Sequence, residues 1–171
     1  MLFLSLTITF ALLTSCQQSA SSEDFYNKGV YYGERGEFDL AIQNYDKAIE
    51  IDPNYVDAYI NRGNAYGAKG DFEYALADLN KAVELSPTDV YVYYNRAFTY
   101  QYMGDYEQAL ADYSKAIELD PTADRPVLNR ALLFQELGQI DDTIADFEKF
   151  LEVSSDEEVK RLVQQELDKL K

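Results

Sequence analysis

The chain repeats itself with a step of 34 residues, and this limits the folds open to it more than any other feature. Proline stands at Pro53, Pro87 and Pro121, and glycine at Gly36, Gly70, Gly104 and Gly138, each series spaced by 34. The surrounding phrases, Lys-Ala-Ile-Glu-Ile-Asp-Pro (47–53), Lys-Ala-Val-Glu-Leu-Ser-Pro (81–87) and Lys-Ala-Ile-Glu-Leu-Asp-Pro (115–121), nearly copy one another. A fixed period of this length belongs to stacked helix pairs, in which no unit buries its apolar side alone. The expected fold is therefore all-α: four helix pairs over 22–55, 56–89, 90–123 and 124–157.

Each copy reads as helix A, a turn, helix B and a second turn. Tyr59, Gly63 and Tyr66, and in the next copy Tyr93, Ala97 and Tyr100, recur at steps of four and three, which places each set on one helical face. Gly70 and Gly104 stand where a left-handed residue ends helix A, and Asp71 and Asp105 where a cap would open helix B. Ala75, Leu79 and Ala82 give helix B the same spacing. Pro87 drives Ser86 out of helical geometry, so helix B stops there, and the proline is expected to open the following helix. Beyond the fourth copy, Ser155 to Glu158 has the form of a capping box. Val159, Leu162, Val163, Leu167 and Leu170 then form one apolar stripe, which predicts a capping helix over 158–171 that closes the stack.

The run Tyr59-x-x-Arg62-Gly63-x-x-Tyr66, then Ala75-x-x-x-Leu79, then Pro87, resembles the tetratricopeptide (TPR) pattern. Tyr93, Ala97, Tyr100, Ala109, Tyr113 and Pro121 match it in the third copy, and Phe25, Gly29, Tyr32, Ala41, Tyr45 and Pro53 in the first. The resemblance covers residues 22 to about 157. It implies a right-handed α-α superhelix whose A helices line a concave, protein-binding face. Phe25, Tyr59 and Tyr93 replace the family's tryptophan. Lys28, Arg62, Arg96 and Arg130 replace its leucine, with stems expected to pack while their charges reach water. The fourth copy departs furthest, with Val127, Thr143, Phe150 and Ser155 at four pattern positions, as befits a repeat that meets a cap.

Charge narrows the function. Lys and Arg number 15 against 31 Asp and Glu, a net charge of −16, which disfavours nucleic acid and anionic lipid surfaces as direct partners. Histidine is absent and the only cysteine is Cys16, so neither a disulfide within the chain nor a Cys/His zinc site is available. The commonest acid–base side chain is missing too, no paired catalytic carboxylates stand out, and neither enzyme activity nor a cofactor is expected. Asp78, Asp112 and Asp146 stand three residues before Lys81, Lys115 and Lys149, a spacing expected to form local ion pairs on a solvated face.

In the resembling family the second, fifth, sixth, ninth, twelfth and thirteenth residues of each repeat face inward. The sixth is Asn27, Asn61, Asn95 and Asn129. An amide donates and accepts, so this ladder is a candidate grip for an extended peptide backbone; the alternative is that each amide contacts a neighbouring helix. Tyr91, Tyr94, Phe98 and Tyr102 occupy inward positions of the third repeat and are candidate anchors. For Tyr94 and Phe98 the alternative is burial against the next repeat. The basic clamp by which one subfamily holds a partner's C-terminal carboxylate is missing.

Residues 1–15 differ from the rest. Leu2 to Leu13 is apolar, no charge precedes Glu23, and the run is too short to span a bilayer. Leu13-Thr14-Ser15-Cys16 resembles a bacterial lipobox, although no Lys or Arg precedes the apolar run. The resemblance implies a signal peptide over 1–15, lipidation of Cys16 and a tether over 16–21. Gln17 is not the aspartate that retains such proteins at an inner membrane, which implies the outer membrane of a two-membrane bacterium. The sequence reading is thus a membrane-anchored scaffold that binds proteins or peptides. Its rivals are a structural lipoprotein that self-associates into a homo-oligomer, a cytosolic adaptor without an anchor and, more weakly, a wall-active enzyme.

Overall fold

The computed structural model describes residues 20–171, and among them it contains nine α-helices and no strand. Cys16, the expected signal peptide and most of the expected tether lie outside the described residues. Four helix pairs follow in order: α1 (Ser22–Glu34) with α2 (Phe38–Ile51), α3 (Val56–Lys69) with α4 (Phe72–Leu85), α5 (Val90–Met103) with α6 (Tyr106–Leu119), and α7 (Asp124–Glu136) with α8 (Ile140–Val153). A ninth helix, α9 (Glu157–Leu170), packs on α8. Each helix packs on the one before and the one after, and α3 also touches α1 and α5. This neighbour-only pattern is that of a superhelical stack.

The turns between A and B helices depend on glycine for conformation, not for space. Gly70 and Gly104 adopt φ of 83° and 79°, and a Cβ at either would meet nothing within 4 Å. The left-handed residue lets its own N–H and the next one turn back onto the last helical carbonyls: Gly70 N reaches Gly67 O at 2.9 Å and Asp71 N reaches Tyr66 O at 2.9 Å. Gly63 has the opposite reason. A Cβ there would lie 3.1 Å from the Ala75 carbonyl oxygen and 3.1 Å from Leu79 Cγ, so α3 and α4 approach at the distance glycine permits.

Three local expectations are corrected. Asp105 caps α6 by accepting from Gln108 N, but Asp71 makes no side-chain cap bond to α4; its carboxylate turns to Lys69 Nζ at 3.6 Å. The prolines do not open helices. Helix B ends at Ile51, Leu85 and Leu119, and the next A helix starts at Val56, Val90 and Asp124, so each proline lies within a turn. Asp52 Oδ1 accepts from Asn54 N at 3.0 Å and Asp120 Oδ1 from Thr122 N at 2.9 Å, closing two of these turns through the side chain. The tyrosines that stand in the family's tryptophan position brace the same turns, with Tyr59 Oη donating to Pro53 O at 3.3 Å and Tyr93 Oη to Pro87 O at 3.1 Å. At the far end the cap of α9 is Asp156, which accepts from Glu158 N and Val159 N, not Ser155. Ser154 is buried and donates to Asp124 Oδ2 at 2.8 Å; this ties the start of α7 to the junction and sets the helix start at the next acceptor, Asp156.

The arginines and aspartates also differ from expectation, and together. The Arg62 charge does not reach open water: its fork spans both oxygens of Asp78 at 2.7 and 2.6 Å. Arg96 holds Asp112 at 2.7 and 2.8 Å, and Arg130 holds Asp146 at 2.7 and 2.7 Å. The aspartates are buried, not on a solvated face, and Lys81 and Lys115 pair with Glu84 and Glu118 instead. Burial pushes the Asp78 carboxyl above its ordinary value, while the Arg62 fork pulls it down. Each arginine also donates across the repeat boundary, to Asp46, Asn80 and Ser114. The side chain that replaces leucine thus joins two helices of its own repeat to the repeat before. The first repeat carries Lys28 and Asn44 at these places, and Asn44 donates to the Leu40 carbonyl of its own helix.

The core follows the repeats: Ile60, Leu79, Ala82 and Val92; then Ala97, Ala109, Tyr113 and Leu133; then a larger cluster of Ile117, Val127, Ala131, Phe147, Phe150, Val163 and Leu167. The outer end of the first repeat is polar. Asp24 and half-exposed Tyr31 stand where the second repeat buries Ala58 and Ala65.

Candidate peptide-binding groove

The A helices, side by side, present the inward positions along one face. Three hollows run along it. The first, about 420 Å3, lies between the first two repeats and is lined by Tyr26, Val30, Glu34, Tyr45, Asn61 and Asn64. The middle hollow, about 500 Å3, is bounded by Asn64, Gly67, Ala68, Phe72, Phe98 and Tyr102. The last, about 520 Å3, sits over the starts of α5 and α7, with Tyr91, Tyr94, Asp89, Asp120, Asp124 and Arg125 on its walls. Asn64 lines the first and the middle hollow, and Tyr94 the middle and the last, so the three form one groove.

The middle hollow owes its shape to size differences at equivalent positions. Gly67 and Ala68 of α3 stand opposite an aromatic file on α5. Tyr94 and Phe98 lie 6.5 Å apart between ring centroids, and Phe98 and Tyr102 meet edge-to-face at 4.8 Å. Tyr94 also leans on buried Tyr113 at 6.2 Å, so the file is anchored in the core at one end and open at the other. Phe98 remains 43% exposed, and Tyr91 and Tyr102 65% each. Exposed aromatic side chains over an uncharged hollow bury much area for little lost rotation when a guest arrives.

The four asparagines divide. Asn61 Nδ2 donates to Tyr26 Oη at 2.9 Å, and Asn129 Nδ2 to Tyr94 Oη at 3.2 Å; both hydroxyls come from the repeat before. In the equivalent place before Asn95 stands Ile60, which has no hydroxyl, and Asn95 Nδ2 turns to the Tyr91 carbonyl of its own helix at 2.6 Å. Asn27 is exposed. Two amides thus spend one donor each in bracing neighbouring A helices; among the described residues the Oδ1 atoms of all four accept no hydrogen bond, and of the four Asn61 and Asn95 line the hollows while Asn27 and Asn129 do not. The Tyr26 phenol is held above its ordinary value by burial and by the Asp57 carboxylate, against the Asn61 bond. Burial pushes the Tyr45 phenol at the groove floor up to about 12.

Sequence reasoning missed Asn64, Gly67, Ala68 and Phe72. The first three are the ninth, twelfth and thirteenth residues of the second repeat, so the inward count reaches them. Phe72 opens a B helix and lies outside that count. Among the described residues no group of three His, Cys, Asp or Glu side chains is placed to hold a metal ion, and no helix is long and apolar enough to cross a membrane.

Fold and groove together define a helical-repeat protein whose A helices share one grooved face. Family profiles described as TPR repeat match residues 29–70 and 63–104, and one described as tetratricopeptide repeat matches 90–123. These matches span more than half of the chain, which belongs to the tetratricopeptide-repeat family. No curated protein matches the sequence at a significant level. Among solved structures, one of MamA is 26% identical with a TM-score of 0.71, covering 77% of this chain and 77% of that one. The first TPR of Spaghetti (RPAP3), bound to the HSP90 peptide SRMEEVD, is 28% identical with a TM-score of 0.65, covering 69% of this chain and 94% of that one. A further MamA structure, 22% identical with a TM-score of 0.70, covers 87% of this chain and 85% of that one and shows the shared fold.

Proposed function

We propose that this chain is a protein-interaction scaffold that holds an extended segment of a partner along its A-helix groove. One observation carries the reading: Phe98 and Tyr102 are exposed on an ordered aromatic file, over a hollow that Gly67 and Ala68 keep open. A solitary domain gains nothing from leaving such rings in water. The peptide-bound RPAP3 repeat of the same fold supports the mode of use. The asparagines add backbone bonds of roughly 0.5–1.5 kcal/mol each, too little for micromolar binding without side-chain pockets. The aromatic file supplies those. With exposed Phe98→Ala, peptides selected from a random library on the parent chain are expected to lose at least about tenfold in affinity, while the melting temperature stays put. Unchanged affinity for every selected peptide would remove the groove from the account.

The same proposal places the scaffold on a membrane, in the cell envelope, through a lipidated Cys16, most simply at the outer membrane facing the periplasm. The apolar run Leu2 to Leu13 ending in Leu13-Thr14-Ser15-Cys16 supports this part, and several acyl chains on one residue would anchor firmly. The intact mass of protein extracted from membranes is expected to show loss of residues 1–15 and added acyl mass on Cys16. A mass that retains Met1 to Ser15 leaves the cytosolic adaptor in its place.

A further inference from the structure

We propose that the segment this groove takes is basic, with one apolar side chain seated among Phe72, Phe98 and Tyr102 and its cationic side chains facing the carboxylates at the first-repeat end. This rests on the groove reading above and adds the chemistry of the guest. The inward positions of the four repeats carry Glu23, Glu34, Asp57 and Glu136 against a single cation, Arg125. All four carboxylates are exposed. Among the described residues Glu23, Glu34 and Asp57 have no ion-pair partner, and Glu136 meets only the Tyr106 hydroxyl at 3.2 Å.

Two of the carboxylates flank an aromatic pair. Tyr26, which lines the first hollow, and Tyr55 lie 4.9 Å apart between ring centroids with their planes tilted by 35°. Glu23 stands three residues before Tyr26 and Asp57 two after Tyr55, and after burial and the Tyr26 phenol these two carboxylates help hold the Tyr55 phenol above its ordinary value. Faces of two phenols beside two open carboxylates suit a lysine or arginine head, through attraction to the rings and to the charges together. Glu34 extends the negative wall into the hollow itself. The middle hollow, by contrast, has no charged lining residue, so it suits an apolar side chain. Asn64 walls both, and one extended strand passes from the first to the second. The net charge of −16 then steers a cationic guest inward and repels an acidic one. The peptide SRMEEVD on the RPAP3 repeat carries more acid than base, which sets the present groove apart by charge while the fold is shared.

The test uses the purified full chain and three labelled synthetic peptides: one alternating Lys and Leu with a central Phe, one with every Lys changed to Glu, and one with the Phe and Leu changed to Ser. Fluorescence anisotropy should show the Lys/Leu peptide binding about 100-fold tighter than the Glu form. Its affinity should fall about tenfold as salt rises from about 0.1 M to 1 M and the screening length shrinks from about 10 to 3 Å. The paired change Glu23→Gln/Asp57→Asn, at exposed sites that leave the core intact, should weaken the Lys/Leu peptide and spare the Glu form. Phe98→Ala should weaken the Lys/Leu peptide and leave the Ser form unchanged. If the Glu form binds as well as the Lys form and both depend on Phe98, the basic guest is excluded while the groove stands. If the Lys form binds without dependence on Phe98, the groove reading itself fails. Binding of none of the three excludes the basic guest.

Discussion

Arg62→Met should lower the free energy of unfolding by about 3–5 kcal/mol, far beyond the loss of an ordinary surface charge. The reason lies in what remains. Asp78 stays buried, with 6% of its surface exposed, and no longer has a counter-charge, while methionine keeps much of the aliphatic stem and gives up the guanidinium that lies over the Tyr59 ring. An uncompensated buried carboxylate costs far more than the pair contributes. The double variant Arg62→Met/Asp78→Leu should therefore regain most of the loss, since the buried charge is gone as well. Titration supplies an independent signature. Burial already raises the Asp78 carboxyl above 3.8, and removing Arg62 raises it further. A carboxyl raised in the folded state gives stability that is fully present below its unfolded value and lost as pH rises through its folded value. The gap between parent and variant should accordingly be small near pH 4 and full at neutral pH. Denaturant titrations of the three proteins at both pH values decide the matter. A single variant as stable as the parent at neutral pH would make the Arg–Asp bond dispensable.

Phe147→Ala should cost about 3–5 kcal/mol, and the damage should be local. Phe147 is 1% exposed at the centre of the cluster that joins α6, α7, α8 and α9. A cavity there loosens the fourth repeat and the final helix at once. Because units of a stack touch only neighbours, the first two repeats have no direct contact with the loss. Hydrogen exchange should show α7 to α9 losing protection while α1 to α4 keep theirs. Uniform loss over all nine helices would mean that the chain unfolds as one block.

The backbone was largely legible in the residues, because period, glycine and proline each act locally. A left-handed turn needs glycine wherever it occurs, and a run of Ala, Leu and Ala at steps of four and three leaves one face to bury. The misreadings arose where a side chain chooses among partners distant in sequence. Asp78 stands three residues from Lys81, and the local pairing is the one a linear reading offers. The structure instead supplies Arg62, sixteen residues earlier and across the helix pair, whose planar fork satisfies both oxygens at once. Ser154, not Ser155, reaches back thirty residues to Asp124, whereas Asp71 leaves its cap for a local rival, Lys69, only two residues away. The groove was half legible. Counting inward positions reached Tyr91, Tyr94, Phe98, Tyr102 and the asparagines, but the tyrosine hydroxyls that engage Asn61 and Asn129 depend on which residue the preceding repeat presents, and Phe72 enters from a B helix.

The middle hollow draws its walls from the second repeat on one side and the third on the other, and those two repeats meet across the α4–α5 junction. Bending at that junction changes the separation of Gly67 and Ala68 from Phe98 and Tyr102. On the proposed function, curvature and occupancy become one variable: a guest wedged there would act as a strut that fixes the pitch of the coil, and a tug on either end of the coil would alter the grip on the guest.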